Sequence, residues 1–235
     1  MPGEMKRNER REELEMLDAN GGDGFDGERE RGENFEHFAD DEDEYAGSGA
    51  KKAGIGLIQL LPVNDTGTQS SPYSGLSAFA LHPIYIDIKR LPEFDGLYSS
   101  DKKFAKNYDA FVKENPYNAG GRYDYDSILN KKDELLRSLY ATTSIAKDGK
   151  ADAALEKWIK KNPWIVNYAV YKSLKYKYMQ ATWKSWDAKD QNLSEKEITA
   201  RWEKASNRKE NLFYAWTQMR AAEQARIVRE LVVRT

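Results

Sequence analysis

Cysteine is absent from the 235-residue chain, and histidine occurs only at His37 and His82. The first absence excludes a disulfide scaffold, thiolate metal or iron-sulfur sites and thiol catalysis, and it is compatible with a reducing compartment. The second leaves little room for a histidine-rich metal centre or a Ser-His-Asp triad. No apolar run approaches the roughly 20 residues that a membrane-spanning helix needs. Nor does the chain start with a basic stretch followed by an apolar one, as a secretory signal would. The expectation is a cytoplasmic protein with no membrane partner, and if it is an enzyme, carboxylates are its acids and bases.

What the chain does have is unevenly distributed charge. Residues 1–50 hold 17 acidic and 6 basic side chains, a net of −11, so the rest of the chain carries +9 behind an overall −2. The acidic segment includes GGDGFDG and the run Asp40 to Glu44, with few aliphatic residues beyond Leu14 and Leu17. Such a composition buries too little apolar area to offset chain entropy, so disorder is expected over 1–50, with a short helix over 8–17. An acidic interaction tail is the alternative reading.

From Lys51 the character changes. Gly54 to Val63 is an unbroken apolar run with Gln59 as its single polar residue, the pattern of a strand buried on both faces. Pro62 cannot donate to a sheet ladder and should end it. Asn64 to Gly75 is then a polar loop of turn-forming residues after a strand's C-terminal end, where α/β folds keep their sites. After Pro83, Ile84, Ile86 and Ile88 alternate with Tyr85 and Asp87, which predicts a second, half-exposed strand.

Beyond about residue 100 the periodicity is helical. Tyr125 to Tyr140 places Ile128, Leu129, Leu135, Leu136 and Leu139 at helical spacing, and Leu155, Trp158 and Ile159 begin another stripe. Asn162-Pro163 reads as an N-cap and first helical position, leading to a helix with Val166, Ala169, Val170 and Leu174 inward. Ser194 and Glu197 form a capping box flanked by Leu193 and Ile198 as a hydrophobic staple. A last helix starts near Asn207 and carries Leu212, Trp216, Met219, Ile227 and Leu231 on about one face. The resulting division is an acidic segment 1–50, a strand and its loop over 51–98, and a mostly helical part over 99–235.

The segment LIQLLPVNDTGTQSSPYSGLSAFALHPIYIDI, residues 57–88, is the most specific stretch. Gln59, Leu61 and Pro62, then Ser71, Pro72 and Tyr73, then Ser77, Phe79, Ala80 and Pro83 resemble three successive motifs of the 4-alpha-glucanotransferases, glycoside hydrolase family 77. The later order of Trp164, Tyr168, Ala169, Trp183, Trp186, Phe213, Trp216, Gln218 and Gln224 is also similar to that family. The resemblance implies an α/β fold, a partial (β/α)8 TIM-type barrel with a largely helical insertion. It implies transfer of an alpha-1,4-glucan segment between maltooligosaccharides or starch-like glucans by a retaining double displacement, which needs no cofactor. The family's nucleophilic Asp, acid/base Glu and stabilising Asp lie downstream of the part that this chain resembles, and no residue here matches them. The family's Gly-rich opening has only a poor echo at Gly22-Asp23-Gly24-Phe25. The chain therefore reads as an N-terminal portion, without catalytic residues of its own.

Four loop residues are the candidates for contact with glucan. The resemblance places Tyr73 against the sugar, where its ring would stack on axial C–H groups, with packing of the loop as the alternative. Pro72 would fix the approach of that ring by locking its own φ and holding Ser71 extended. Ser71 belongs to the same motif. Asn64 and Asp65 are suited to bonding glucose hydroxyls, and equally suited to capping a turn. His82 reads as a satisfied structural histidine. Trp183 and Trp186, three apart, read as one packed helix face or as a sugar platform. Lys172, Lys175, Lys177, Lys184 and Lys189 interleave with Tyr171, Tyr176 and Tyr178. Such a mixture suits nucleic acid, but with Asp187 and Asp190 among them a solvated helical face is the better reading and no nucleic-acid partner is expected. A non-catalytic glucan-binding or vestigial fragment is the competing function.

Overall fold

The structure is a computed structural model and describes residue 54, residues 61–113 and residues 124–234, with side chains placed as far as Ile227. The acidic segment, its helix over 8–17 and, apart from Gly54, the first part of the strand expected over 54–63 lie outside the described residues. From Leu61 the chain runs without regular structure into an isolated antiparallel bridge between Asn64 and Leu81. Among the described residues no strand forms, and the fold seen is mainly helical.

The strand expected over Ile84 to Ile88 is not one. Pro83 to Tyr85 makes a single 3-10 turn, because Pro83 sits at its first position and the His82 side chain accepts from the Ile84 N–H. Burial follows the expected alternation only in part: Ile84, Ile86 and Ile88 are buried and Tyr85 is exposed, but Asp87 is buried as well. Among the described residues no strand lies beside Ile84 to Ile88: the Tyr85 and Ile86 N–H groups bond back within the turn to the His82 and Pro83 carbonyls, Lys132 Nζ donates to the Ile84 carbonyl, and the flanking residues Leu81 and Asp87 are met by glutamines. Gln218 accepts from the Leu81 N–H at 2.9 Å and donates to its carbonyl at 2.8 Å. Gln224 does the same to Asp87 at 2.8 and 2.9 Å. Two glutamine amides thus stand where two peptide groups of a partner strand would.

The helices follow in order: α1 (Phe94–Ser100), α2 (Lys102–Lys113), α3 (Tyr125–Thr142), α4 (Ser144–Asp148) and α5 (Ala153–Lys161). Next come α6 (Trp164–Lys177), α7 (Ala188–Gln191), α8 (Glu195–Glu203) and the long α9 (Ala205–Arg234). Side-chain caps begin several of them: Asp124 accepts from the Ser127 N–H, Asp152 from Leu155, and Ser194 with Glu197 forms the expected capping box. Asn162 behaves differently from the N-cap expected of it. Its amide donates to the Trp158 carbonyl at 2.9 Å, so it closes α5, and α6 starts after Pro163 without a side-chain cap.

Helix α9 is the axis of the assembly. It packs most extensively on α6 and also meets α3, α4, α5 and α8. Leu139, Leu155, Ile165, Leu212 and Trp216 are fully buried around it. Arg137 ties α3 to α9 through a two-pronged bond to Glu210 at 2.9 and 2.8 Å, with its guanidinium 4.2 Å from the Phe213 ring centre. Trp183 and Trp186 do not share a helix face: a 3-10 turn, Trp183–Ser185, separates an exposed Trp183 from a Trp186 buried between Tyr171 and Tyr178.

At Gly67 the backbone conformation favours glycine. Its φ is +63°, and an added Cβ would lie 2.9 Å from the Leu76 side chain. Gly67→Ala is expected to cost about 1–2 kcal/mol, from the left-handed backbone that it would impose on an L-residue. Urea unfolding checks this, and a variant as stable as the parent would refute it.

Candidate functional site

The loop that carries the candidate residues is closed at its neck by a single residue. Asp65 donates its N–H to the Ala80 carbonyl at 2.8 Å and accepts the Leu76 N–H on its own carbonyl at 2.7 Å. Its Oδ1 accepts from the Gly67 N–H at 2.8 Å, the turn that an aspartate makes with the backbone two residues on. Its Oδ2 accepts from the Tyr168 hydroxyl and from Lys172 Nζ, the latter at 2.9 Å. Residues 65–76 are therefore a short loop with joined ends, standing on a carboxylate that has no exposed surface.

A second tether lies beside the first. The Tyr125 hydroxyl, at the start of α3, donates to the Gly67 carbonyl at 3.0 Å and pairs with His82 Nε2. With the tyrosine proton spent on that carbonyl, Nε2 is the donor of the pair, and Nδ1 is the acceptor for the Ile84 N–H at 3.1 Å. The ring is thus neutral and satisfied at both nitrogens, as expected for a structural histidine.

Electrostatics follow from this packing. Burial alone would raise the Asp65 pKa, but Lys172, His82 and the Tyr168 hydroxyl hold it below its ordinary value of 3.8. Burial lowers the His82 pKa below 6.5; the nearby Asp65 carboxylate, 3.8 Å away, opposes this, while Lys172 and Lys132 add to it. Burial beside Asp65 pushes the Tyr168 hydroxyl well above 10, so it remains a donor. A histidine with a depressed folded pKa binds fewer protons than its unfolded counterpart, so stability falls as pH drops below about 6.5. The Asp65 contribution is lost further down, below about 3.8. Since the chain has two histidines, the expected loss of melting temperature between pH 7 and 5 should shrink in a His82→Asn variant. An unchanged pH slope would refute the assignment. Among the described residues no three His, Asp or Glu side chains group as a metal site requires.

The outer surface of the loop is different. Tyr73 is 75% exposed, Ser71 is exposed and Asn64 is half-buried. Phe79, exposed next to them in sequence, stacks on Trp164 with ring centres 5.8 Å apart.

Comparison with known proteins bears on what this loop serves. The family model for 4-alpha-glucanotransferase matches residues 42–234. The chain belongs to the 4-alpha-glucanotransferase family. It is 32% identical over 151 residues to a 4-alpha-glucanotransferase of Clostridium butyricum, covering 63% of this chain and 28% of that one. It is 28% identical over 174 residues to the Thermus thermophilus 4-alpha-glucanotransferase, covering 72% and 31%. A 49-residue stretch is 47% identical to 4-alpha-glucanotransferase DPE2 of Oryza sativa subsp. japonica, 19% of this chain and 5% of that one. The chain thus spans under a third of the length of these relatives.

In this 4-alpha-glucanotransferase family member the four sequence candidates fall into two groups. Tyr73, Ser71 and Asn64 have surface to offer a ligand, whereas every polar group of Asp65 is engaged within the chain. The partners of Asp65 were not among the site candidates. Lys172 was read as part of a solvated face, yet it is 14% exposed and paired with Asp65. Its position was a usable signal: Ile165, Tyr168, Ala169 and Lys172 follow the i, i+3, i+4, i+7 spacing of one helix face, and the first three are buried. The other lysines of that cluster are also engaged: Lys175 with the Gln180 and Ala181 carbonyls, Lys177 with Asp190, Lys189 with Asp187 and Lys184 with the Trp183 ring. Among the described residues no helix is long and apolar enough to cross a membrane.

Proposed function

We propose that this chain forms the glucan-contacting part of a 4-alpha-glucanotransferase that moves alpha-1,4-linked segments between maltooligosaccharides or starch-like glucans. The match of the family model to residues 42–234 carries this reading. In it, the loop 65–76 belongs to a (β/α)8 barrel, with the run before Pro62 as one of its strands. Tyr73 lays its ring against a pyranose, Ser71 and Asn64 bond to hydroxyls, and Asp65 acts on the sugar only through the loop that it closes. The chemistry is retaining: one carboxylate attacks the anomeric carbon while an acid protonates the leaving oxygen, and the conjugate base then takes the proton from the acceptor 4-hydroxyl. Those carboxylates are assigned to no residue of this chain, and the mechanism calls for no cofactor.

Calorimetric titration with maltoheptaose, together with incubation in maltotriose, tests the reading. The expected result is maltoheptaose binding that Tyr73→Ala weakens about tenfold, from the loss of stacking alone. The substitution should leave stability within about 0.5 kcal/mol, since the side chain is exposed. Glucose together with longer oligomers from maltotriose would show transfer by this chain itself, and binding without product would mark it as the binding part only. No binding, or binding indifferent to Tyr73, would refute the proposal.

A further inference from the structure

The side chains of Tyr168 and Lys172 come from successive turns of α6 and meet on one oxygen, Asp65 Oδ2. No other helix side chain reaches this carboxylate by a direct hydrogen bond among the contacts described. The same aspartate closes both ends of the loop that carries Ser71 and Tyr73, through Leu76 and Ala80 on its backbone and Gly67 on Oδ1. A shift of its carboxylate therefore acts on the turn at Gly67 directly and on the neck at Leu76 through the Asp65 backbone. Tyr73 itself makes no part of this anchorage: it is 75% exposed and projects from the loop between the two points that Asp65 holds. Behind this anchorage stands a helix more than ninety residues further along the chain, beside the separate hold of Tyr125 on the Gly67 carbonyl.

We propose that Lys172, with Tyr168, is a positioning residue for glucan recognition, acting by clamping Asp65 and so holding the 65–76 loop in the geometry that presents Tyr73. The inference rests on the proposed function for its ligand, while the clamp itself is a property of the chain. An ammonium suits the role because Asp65 has no exposed surface: a neutral partner would leave the carboxylate uncompensated, whereas Lys172 Nζ at 2.9 Å both neutralises it and donates a hydrogen bond. The tyrosine hydroxyl supplies direction, since Gln218 Nε2 donates to its oxygen at 3.4 Å while its own proton faces Asp65.

The test compares the full chain with Lys172→Met, Lys172→Arg and Tyr168→Phe by residue-resolved hydrogen exchange and by maltoheptaose titration. In Lys172→Met the amides of Gly67 and Leu76 should exchange at least about tenfold faster, beyond any acceleration shared with the α9 amides through a global loss of stability. Maltoheptaose affinity should fall by a similar factor of about ten. Lys172→Arg, which keeps charge and donor, should recover most of both losses, a recovery that mere packing would not produce. Tyr168→Phe keeps the buried ring and should show a smaller loosening, so the idea stays testable if Lys172→Met fails to fold. Unchanged exchange at Gly67 and Leu76 in both Lys172→Met and Tyr168→Phe would overturn the clamp. Faster exchange with undiminished binding would overturn its role in recognition. A parent chain that does not bind maltoheptaose would count against the proposed function, and the exchange data would still decide the clamp.

Discussion

Asp65→Ala should destabilise the chain by about 3–5 kcal/mol, the range seen when one member of a buried ion pair is deleted. Deletion strands several groups at once. The Lys172 ammonium loses its counterion, the Tyr168 hydroxyl loses its acceptor, and the Gly67 N–H loses the turn that orders the loop. The effect belongs to the stranded partners more than to the lost contacts, so the double variant Asp65→Ala, Lys172→Met should be less destabilised than the two single losses added together. Urea unfolding of the four chains gives the coupling directly. A single-variant cost below about 1 kcal/mol would show that the carboxylate is only a spectator to folding.

Trp216→Ala is expected to cost a similar 3–5 kcal/mol by a different route, the opening of a large cavity. The indole is fully buried on α9 and packs against Tyr140 and Phe213, with ring centres 5.6 and 6.4 Å away. Among the described residues its Nε1 has no hydrogen-bond partner, so the loss is one of packing. Trp183→Ala is the matched control, because that indole is exposed and outside the buried core; its cost should stay within about 0.5 kcal/mol. Thermal unfolding of both variants checks the contrast, and equal losses would mean that the core is not centred where α9 places it.

The helical half of the fold was legible because its signals are local. Period, caps and breaks lie within a few residues of one another, and α3, α8 and α9 follow them closely. Ile84 to Ile88 misled because an apolar pattern reports burial and says nothing of what satisfies the backbone; here a 3-10 turn, the His82 ring, Lys132 and the distant Gln224 do it. Asn162 carried a cap signature that served the preceding helix instead. At the site, motif resemblance singled out Tyr73 and Ser71, and both lie on the surface. The role of Asp65 was not, since a carboxylate after a strand looks the same from sequence whether it faces a ligand or a lysine 107 residues away.

The paired amides of Gln218 and Gln224 have a consequence for solubility. An extended segment with free peptide groups is a template on which another chain can add a strand, the first step of edge-to-edge aggregation. In the stretch from Leu81 to Asp87 the N–H and carbonyl of both end residues are already capped by glutamines of the chain's own helix. An incoming strand would have to displace both before it could bond at either end. Gln218→Leu with Gln224→Leu would therefore bare the peptide groups of Leu81 and Asp87 on either side of the 3-10 turn, and its signature would be concentration-dependent association before any loss of helix.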